Sequence, residues 1–306
     1  MDVGASIVTG GGRGIGRAVA LALAQQGHVV CVNDTGVAVD GSAPDRGAAE
    51  AVAAEIEAGG GRALAVATDA RTRAGAEALV GEVEAWAGRA PAVLVHAAGT
   101  LRDAMVHKAT DEDWSEVIGS HLSVAVELTR ATAGGMRGRG YGRIVYVGGA
   151  AGLVGSVGQA AYAVAKAGLL GLTRAVALEM AGRDVCVNYV APFAFTRMTE
   201  TIPPVTDQLR EYLRSAPAAR PEDVAPLVAW LCRPDASVSG QVFGARGAEV
   251  ALWSQPRPAV RLVDPDGWTV DKLAAARTEL EPHLVPLESE FDLFGGPPVA
   301  VAGRAP

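Results

Sequence analysis

The sequence predicts an α/β protein: a doubly wound, Rossmann-type parallel sheet with a C-terminal extension. Three observations carry this prediction. Short β-branched runs alternate with longer Ala/Leu-rich helical patterns between residues 6 and 245. The runs are continuously apolar, as strands are when helices cover both faces of a parallel sheet. A glycine-rich turn joins the first run to the first helical pattern, where such a sheet receives phosphate groups.

Each element follows in order. A strand at 6–9 (Ser-Ile-Val-Thr) runs into the glycine turn, and an Ala/Leu-rich helix at 15–26 follows. The second strand, 28–33, ends at Asn33-Asp34, and the loop 35–46 after it is long and rich in Gly, Asp and Pro. Further strands are expected at 62–67, 92–96, 143–147, 184–190 and 241–245. The helices between them are expected at 47–58, 72–87, 111–133, 159–181 and 222–232. Past residue 252 the texture changes: Pro256, Pro258, Pro265, Pro282 and Pro286 break the pattern, and only 270–280 reads as helical. The chain therefore divides into a domain at 1–252 and a Pro-rich extension at 253–306. The extension is expected to wrap the domain or a neighbouring subunit, with about the last ten residues disordered.

Composition excludes several classes. Lys plus Arg is 27 and Asp plus Glu is 34, a net charge of −7 with no block of like charge, which argues against nucleic acid. A hydrophobic share of 49% and a charged share of 20% exclude disorder over most of the length. No uninterrupted apolar run approaches the roughly 20 residues of a membrane span, so no membrane partner is expected. Cys31, Cys186 and Cys232 lie far apart and read as reduced core thiols, with no disulfide and no metal site. The start, Met1-Asp2-Val3-Gly4, has no signal-peptide pattern, and Gly303-Arg304-Ala305-Pro306 is no peroxisomal address. A cytoplasmic protein is expected.

Two motifs carry chemistry. The first is Thr9-Gly10-Gly11-Gly12-Arg13-Gly14-Ile15-Gly16. Glycine lets the backbone turn tightly and approach a pyrophosphate, and the helix start offers it free N–H groups. Alone such a loop is weak evidence; between the first strand and the first helix it is a fingerprint. Asp34 stands 18 positions after Gly16, where a carboxylate accepts both adenosine ribose hydroxyls and repels a 2′-phosphate. It favours NAD, while Arg13, able to meet a phosphate, keeps NADP open. Asp34 also reads as a plain turn residue. Asp69, ending the third strand, is a candidate for the adenine amino group or a helix cap.

The second motif is Tyr162-Ala163-Val164-Ala165-Lys166, a phenol and an ammonium one helical turn apart. A free phenol has a pKa near 10. A cation one turn away and a positive nicotinamide ring favour the phenolate, so the tyrosine can exchange a proton with an alcohol or carbonyl.

With these motifs in this order the sequence resembles the short-chain dehydrogenases/reductases over about residues 5–250. Thr9 to Gly16, Gly142 to Val147, Gly158-Gln159 to Gly168 and Ala191-Pro192 to Thr196 carry the match. It is most similar to the (3R)-hydroxyacyl-CoA dehydrogenase domain of peroxisomal multifunctional enzymes and its bacterial relatives. Val32-Asn33-Asp34 with its long loop, Gly99-Thr100-Leu101-Arg102-Asp103, Asp111-Glu112-Asp113-Trp114 with His121-Leu122, and residues 224–232 carry that closer likeness.

The resemblance implies Tyr162 as acid/base, with Lys166 holding the nicotinamide ribose and lowering the tyrosine pKa. It implies Gly10, Gly12, Arg13, Gly14, Ile15 and Gly16 around the cofactor phosphates. Asp34 would meet the adenosine ribose, and Asp69 with Ala70 the adenine. Ala97, Ala98 and Gly99 would line the cofactor, and Val190, Pro192 and Thr196 would follow the nicotinamide and its phosphate. His121 stands where the common pattern has a relay Asn, serving through its carbonyl or its imidazole, or merely packing a helix interface. The helices at 111–133 and 159–181 would form the interface of a homodimer or homotetramer. The expected reaction interconverts a secondary alcohol and a ketone, on a 3-hydroxyacyl thioester or a bulky polycyclic or polyketide-like molecule.

The pattern also breaks. The family's substrate-orienting serine stands 13 positions before the tyrosine, and here that position is Gly149, after Gly148. The Asn-Asn-Ala-Gly motif reads His96-Ala97-Ala98-Gly99, and Pro-Gly reads Pro192-Phe193. Losing one preorganised donor typically costs about 10²–10³ in rate. Three explanations stay open: another donor such as Ser156 or an ordered water; a substrate bringing its own donor, or a non-redox lyase, isomerase or cyclase reaction; or a catalytically weak partner subunit. Gly149 would also leave room for a bulkier substrate.

Overall fold

The computed structural model describes residues 4–42, 45, 47–200, 207–287, 298, 299 and 301. Strands β1 (Ala5–Thr9), β2 (Val29–Asn33), β3 (Arg62–Val66), β4 (Pro91–His96), β5 (Gly142–Val147), β6 (Val185–Pro192) and β7 (Val242–Arg246) run parallel. A short strand, β8 (Glu249–Leu252), pairs antiparallel with β7. The order across the sheet is β3-β2-β1-β4-β5-β6-β7-β8.

The helices are α1 (Gly14–Gln25), α2 (Gly47–Ala58), α3 (Arg73–Ala87), α4 (Asp111–Ile118), α5 (Val124–Arg139), α6 (Ala151–Val154) and α7 (Ala160–Glu179). After them come α8 (Arg197–Glu200), α9 (Asp207–Ser215), α10 (Pro221–Leu231), α11 (Val270–Ala275) and α12 (Arg277–Leu280).

Each central strand feeds two cores, which is why apolar residues dominate both of its faces. On β1, Val8 joins a cluster with Val19 and Leu23 of α1, Val52 of α2 and Val228 of α10. Ile7 joins the other, with Leu79 of α3, Leu128 of α5 and Leu169 of α7. Burying each such side chain is worth about 1.5–3 kcal/mol. Local signals set the helix ends. Thr72 caps α3, accepting from the Gly75 N–H at 3.2 Å, and the left-handed Gly88 ends it. Thr110 and Asp113 form a reciprocal capping box at the start of α4.

A row of polar side chains crosses this sheet near its carboxyl end. Strand register aligns Asn33, Thr9, His96, Tyr146 and Tyr189. All five are buried, and each has a hydrogen-bond partner, as burial of polar groups requires. Asn33 Nδ2 donates to the Thr68 carbonyl at 2.9 Å, and the Tyr146 hydroxyl donates to Thr129 Oγ1 at 2.6 Å.

The structure corrects the sequence reading at two places. The expected helix at 111–133 is two helices joined by a wide π turn, Gly119–Ser123, and the second runs on to Arg139. The sheet continues past 245 into β8, an edge strand exposed along its length. The long helix α7 is, by length and composition, apolar enough to cross a membrane. Lys166 and Arg174 interrupt it, and its buried face, with Lys166, Leu169, Thr173 and Val176, packs against the domain.

In the extension, Trp253 packs against the second core, and Gln255 Nε2 donates to the Gly240 carbonyl at 3.1 Å. Helices α11 and α12 fall within the expected 270–280 span. The Val299 carbonyl accepts from the Ala248 N–H at 2.9 Å, bringing the tail back to the start of β8. Of the last ten residues, for which disorder was expected, all but 298, 299 and 301 lie outside the described residues. The three cysteines are free and buried: Cys31 in β2, Cys186 in β6 and Cys232 capping α10.

Candidate active site

Strand order reverses between β1 and β4, and a cleft opens there at the carboxyl ends of the strands, the switch point where such sheets bind ligands. The turn from β1 to α1 brings in Gly10, Arg13, Gly14, Ile15 and Gly16. Gly10 has φ +65°, and a β-carbon there would lie 2.7 Å from Ala98 Cα. One at Gly16 would strike the Gly10 carbonyl. The backbone therefore packs on itself, and the start of α1 has no side-chain cap. Its free N–H groups suit a diphosphate.

Asp34 lines the cleft at the end of β2. Its Oδ2 accepts from the Gly12 N–H at 2.9 Å and its Oδ1 from the Gly36 N–H at 2.8 Å. Both oxygens are fixed, and each keeps a lone pair for a ribose hydroxyl. Gly12 thus acts behind Asp34 and does not line the cleft. Arg13 is engaged by the long loop: it pairs with Asp45 at 2.9 Å and donates weakly to the Gly36 and Val37 carbonyls. That loop is pinned in turn by the Leu101 N–H on the Val39 carbonyl and by Arg102 Nε on the Asp40 carbonyl, both at 2.8 Å.

Asp69 and Ala70 line the same end. Asp69 is paired with Arg71 at 2.8 Å, and Arg71 also reaches Glu116 at 2.8 Å. Burial pushes the Asp69 carboxyl up, but its bonds to Arg71 outweigh this and hold it below its usual range. Arg71 and Arg197 both line the cleft, and sequence reasoning missed both. Burial, and then the charge of Arg13, lowers the Arg197 pKa. Ala97, Ala98 and Gly99 line the cleft after β4, and Pro192 and Thr196 after β6.

The other end holds Tyr162, Lys166 and His121. Lys166 Nζ donates to the Val147 carbonyl at 2.7 Å and stands 5.4 Å from the centroid of the Tyr162 ring. Burial pushes the Lys166 pKa down to about 7. The His121 ring meets the Tyr162 ring edge-on at 5.2 Å. The π turn places it there: a β-carbon on Gly99 would fall inside the imidazole.

Both ends of His121 are tied. His96 Nε2 donates to the His121 carbonyl at 2.7 Å, and His121 Nε2 donates to the Thr100 carbonyl at 2.8 Å. The Thr9 hydroxyl donates to His96 Nδ1 at 2.8 Å, which fixes the tautomer of His96. Burial holds His96 at about 3, and burial with the nearby Lys166 charge lowers His121 well below 6.5. His121 Nδ1 is left as a buried acceptor with no hydrogen-bond partner.

A β-carbon on Gly149 would lie 3.0 Å from the Tyr162 hydroxyl. Ser156 lies outside the cleft lining. The chain leaves the lining after Gly148 and returns at Tyr162, and a turn at Gly155 with φ +87° precedes the serine.

The family profile described as enoyl-(acyl carrier protein) reductase matches residues 10–259. The chain is 41% identical over 237 residues to the mouse peroxisomal multifunctional enzyme type 2, covering 78% of this chain and 31% of that protein. It therefore spans about a third of that relative's length. It is 38% identical over 268 residues to a putative short-chain type dehydrogenase/reductase of Mycobacterium tuberculosis, covering 87% of each. A hydroxyacyl-CoA dehydrogenase of the same organism is 37% identical over 282 residues, covering 88% of this chain and 86% of that one. The crystal structure of a short chain dehydrogenase from Mycobacterium avium superposes with a TM-score of 0.78 at 34% identity, covering 99% of each chain. With a nucleotide cradle at the sheet's switch point and Tyr162 one turn from Lys166 beside it, the chain belongs to the short-chain dehydrogenase/reductase family.

Proposed function

We propose that the chain is an NAD(H)-dependent oxidoreductase that interconverts a secondary alcohol and a ketone. The observation that carries this is the joining in one cleft of the uncapped α1 start, Asp34 and the Tyr162–Lys166 pair. The residues present fit the cofactor: Gly10 and Gly16 form a cradle that β-carbons would fill, and Asp34 keeps lone pairs on both oxygens. When bound, the nicotinamide supplies the hydride acceptor or donor. Arg13 and Arg197 stand near Asp34 and would soften its rejection of a 2′-phosphate, so NADP remains the weaker second cofactor.

Tyr162 takes the hydroxyl proton of the alcohol, or returns it to the ketone oxygen. Lys166, anchored on Val147, keeps its remaining N–H groups for the tyrosine and a ribose. The His121 carbonyl already accepts from His96, and the imidazole is held neutral by burial. His121 therefore serves as a hydrogen-bond acceptor at Nδ1, not as a charged proton carrier.

The names of the relatives support a 3-hydroxyacyl thioester as substrate. Gly149 in the place of the family's serine supports a bulkier relative of it. The same glycine favours a second reading, a non-redox lyase or isomerase reaction on this fold. Exposed Val164 and Leu178 on α7 support a homodimer or homotetramer. The test is incubation with NAD⁺ and a panel of 3-hydroxyacyl thioesters and polycyclic alcohols, following absorbance of the reduced nicotinamide. NADH formation with at least one is expected; binding of NADH without any turnover would support the second reading.

A further inference from the structure

The polar row across the sheet ends at Tyr189, a fully buried residue of β6. Its hydroxyl accepts from the Gly149 N–H at 2.9 Å and donates to the Gly149 carbonyl at 2.8 Å. One phenol thus holds both backbone groups of one residue. The ring claims its own space: a β-carbon at Gly148 would fall inside it. Two glycines and one tyrosine therefore make a single steric unit. Gly148 admits the ring, the ring's hydroxyl fixes Gly149, and Gly149 presents bare backbone to Tyr162. The 3.0 Å between a β-carbon at 149 and the Tyr162 hydroxyl is too short for ordinary packing of carbon against oxygen.

We infer that Tyr189 is a positioning residue: it clamps the Gly149 peptide against the Tyr162 hydroxyl, so that a side chain at position 149 fits only where the Tyr162 ring or the peptide gives way. Gly149 is thus not a simple loss that a serine would restore. The clamp and the glycine are one arrangement, and a hydroxyl at 149 becomes useful only when the clamp is released. Only the kinetic part of the test rests on the oxidoreductase reading.

The first arm reads stability and needs no substrate. Gly149→Ser is made in the native chain, in Tyr162→Phe and in Tyr189→Phe, and each melting temperature is measured. A drop of several degrees is expected in the native chain. At least half of it should disappear with Tyr162→Phe, where the oxygen met by the β-carbon is gone, and with Tyr189→Phe, where the peptide can shift. An equal drop in all three backgrounds would overturn the inference. Tyr189→Phe keeps the ring in its place beside Gly148, so the arm does not depend on a variant with an empty core.

The second arm reads rates with NADH and a small 3-oxoacyl thioester. Tyr189→Phe is expected to lower kcat tenfold or more while the NADH dissociation constant stays within twofold. Gly149→Ser alone should bring no gain, whereas Gly148→Ser, Gly149→Ser and Tyr189→Thr together should raise kcat tenfold or more over Gly149→Ser. An unchanged kcat in Tyr189→Phe, or an equal gain from Gly149→Ser alone, overturns the clamp. If neither the native chain nor any variant turns over a substrate, the oxidoreductase reading fails, and the melting arm still decides the clamp.

Discussion

The two ends of the cleft hold their working groups by opposite means. At the nucleotide end the charged groups are partly wet and paired with one another: Arg13 with Asp45, and Arg71 with Asp69 and Glu116. At the catalytic end Lys166, His96, His121 and Tyr189 are buried, and each donates to a main-chain carbonyl. A wet ion pair is worth about 0–1 kcal/mol and can be rearranged. A buried polar group that loses its partner costs about 1–3 kcal/mol. Changes at the first end should therefore move binding alone, and changes at the second should move rate and stability together.

The largest expected effect breaks this pattern on purpose. Tyr162→Phe removes only the proton-transfer group, so turnover should fall by about 10²–10⁴ with NADH affinity nearly intact. Fluorescence titration of the cofactor beside steady-state rates checks it, and equal turnover in the variant would move the chemistry elsewhere.

Acid should loosen the buried end first. Burial holds His96 at about 3 and, with the nearby Lys166 charge, keeps His121 well below 6.5. Unfolded histidines take up a proton near pH 6.5. The unfolded state then binds more protons, so this contribution is full above pH 6.5 and is lost as pH falls toward 3. The slope is about 1.4 kcal/mol per pH unit for each histidine. Melting temperatures between pH 8 and 4 should fall below pH 6.5, and a flat profile would refute the neutral histidines.

His96→Ala should cost about 1–3 kcal/mol, because it strips a donor from the His121 carbonyl and an acceptor from Thr9. Turnover should fall with it as the π turn loosens; denaturant unfolding and kcat measured together would show whether the two losses travel as a pair.

At the nucleotide end, Asp34→Ala should narrow the preference for NADH over NADPH by about tenfold, one carboxylate's repulsion of a 2′-phosphate. Stability should change little, and NADPH binding at least as tight as NADH in the native chain would reverse the assignment. The smallest effect is Asp45→Ala. It frees an exposed end of Arg13 and should alter stability by less than about 1 kcal/mol, read as an unchanged melting temperature.

The same contrast explains what was legible in the chain. Strands such as β1 and β5 announce themselves because burial on both faces fills most of their positions with apolar residues. The cradle was legible because its glycines answer a local demand, as at Gly10 and Gly16. β8 was not, because it is four residues long and exposed throughout, so no alternation of buried and exposed positions marks it. The break between α4 and α5 was hidden for another reason: among its contacts is His96, 25 positions before His121, bonding the His121 carbonyl. Arg71, Arg197 and Tyr189 reach the site only through tertiary packing, and no spacing rule points to them. His96 carried a signal, as the departure from the family's asparagine, but its role depended on Thr9 across the sheet.

The three buried thiols make the molecule its own clock. Alkylating reagents attack the thiolate, and burial holds Cys232 at about 12 and raises Cys31 and Cys186 as well. The native chain should be nearly inert to iodoacetamide at neutral pH, and each alkyl group added marks an opening event. Cys31 sits mid-strand in β2 between β1 and β3, Cys186 in the strand that carries Tyr189, and Cys232 where α10 ends. The order in which mass spectrometry finds them alkylated would show which part of the sheet breathes first.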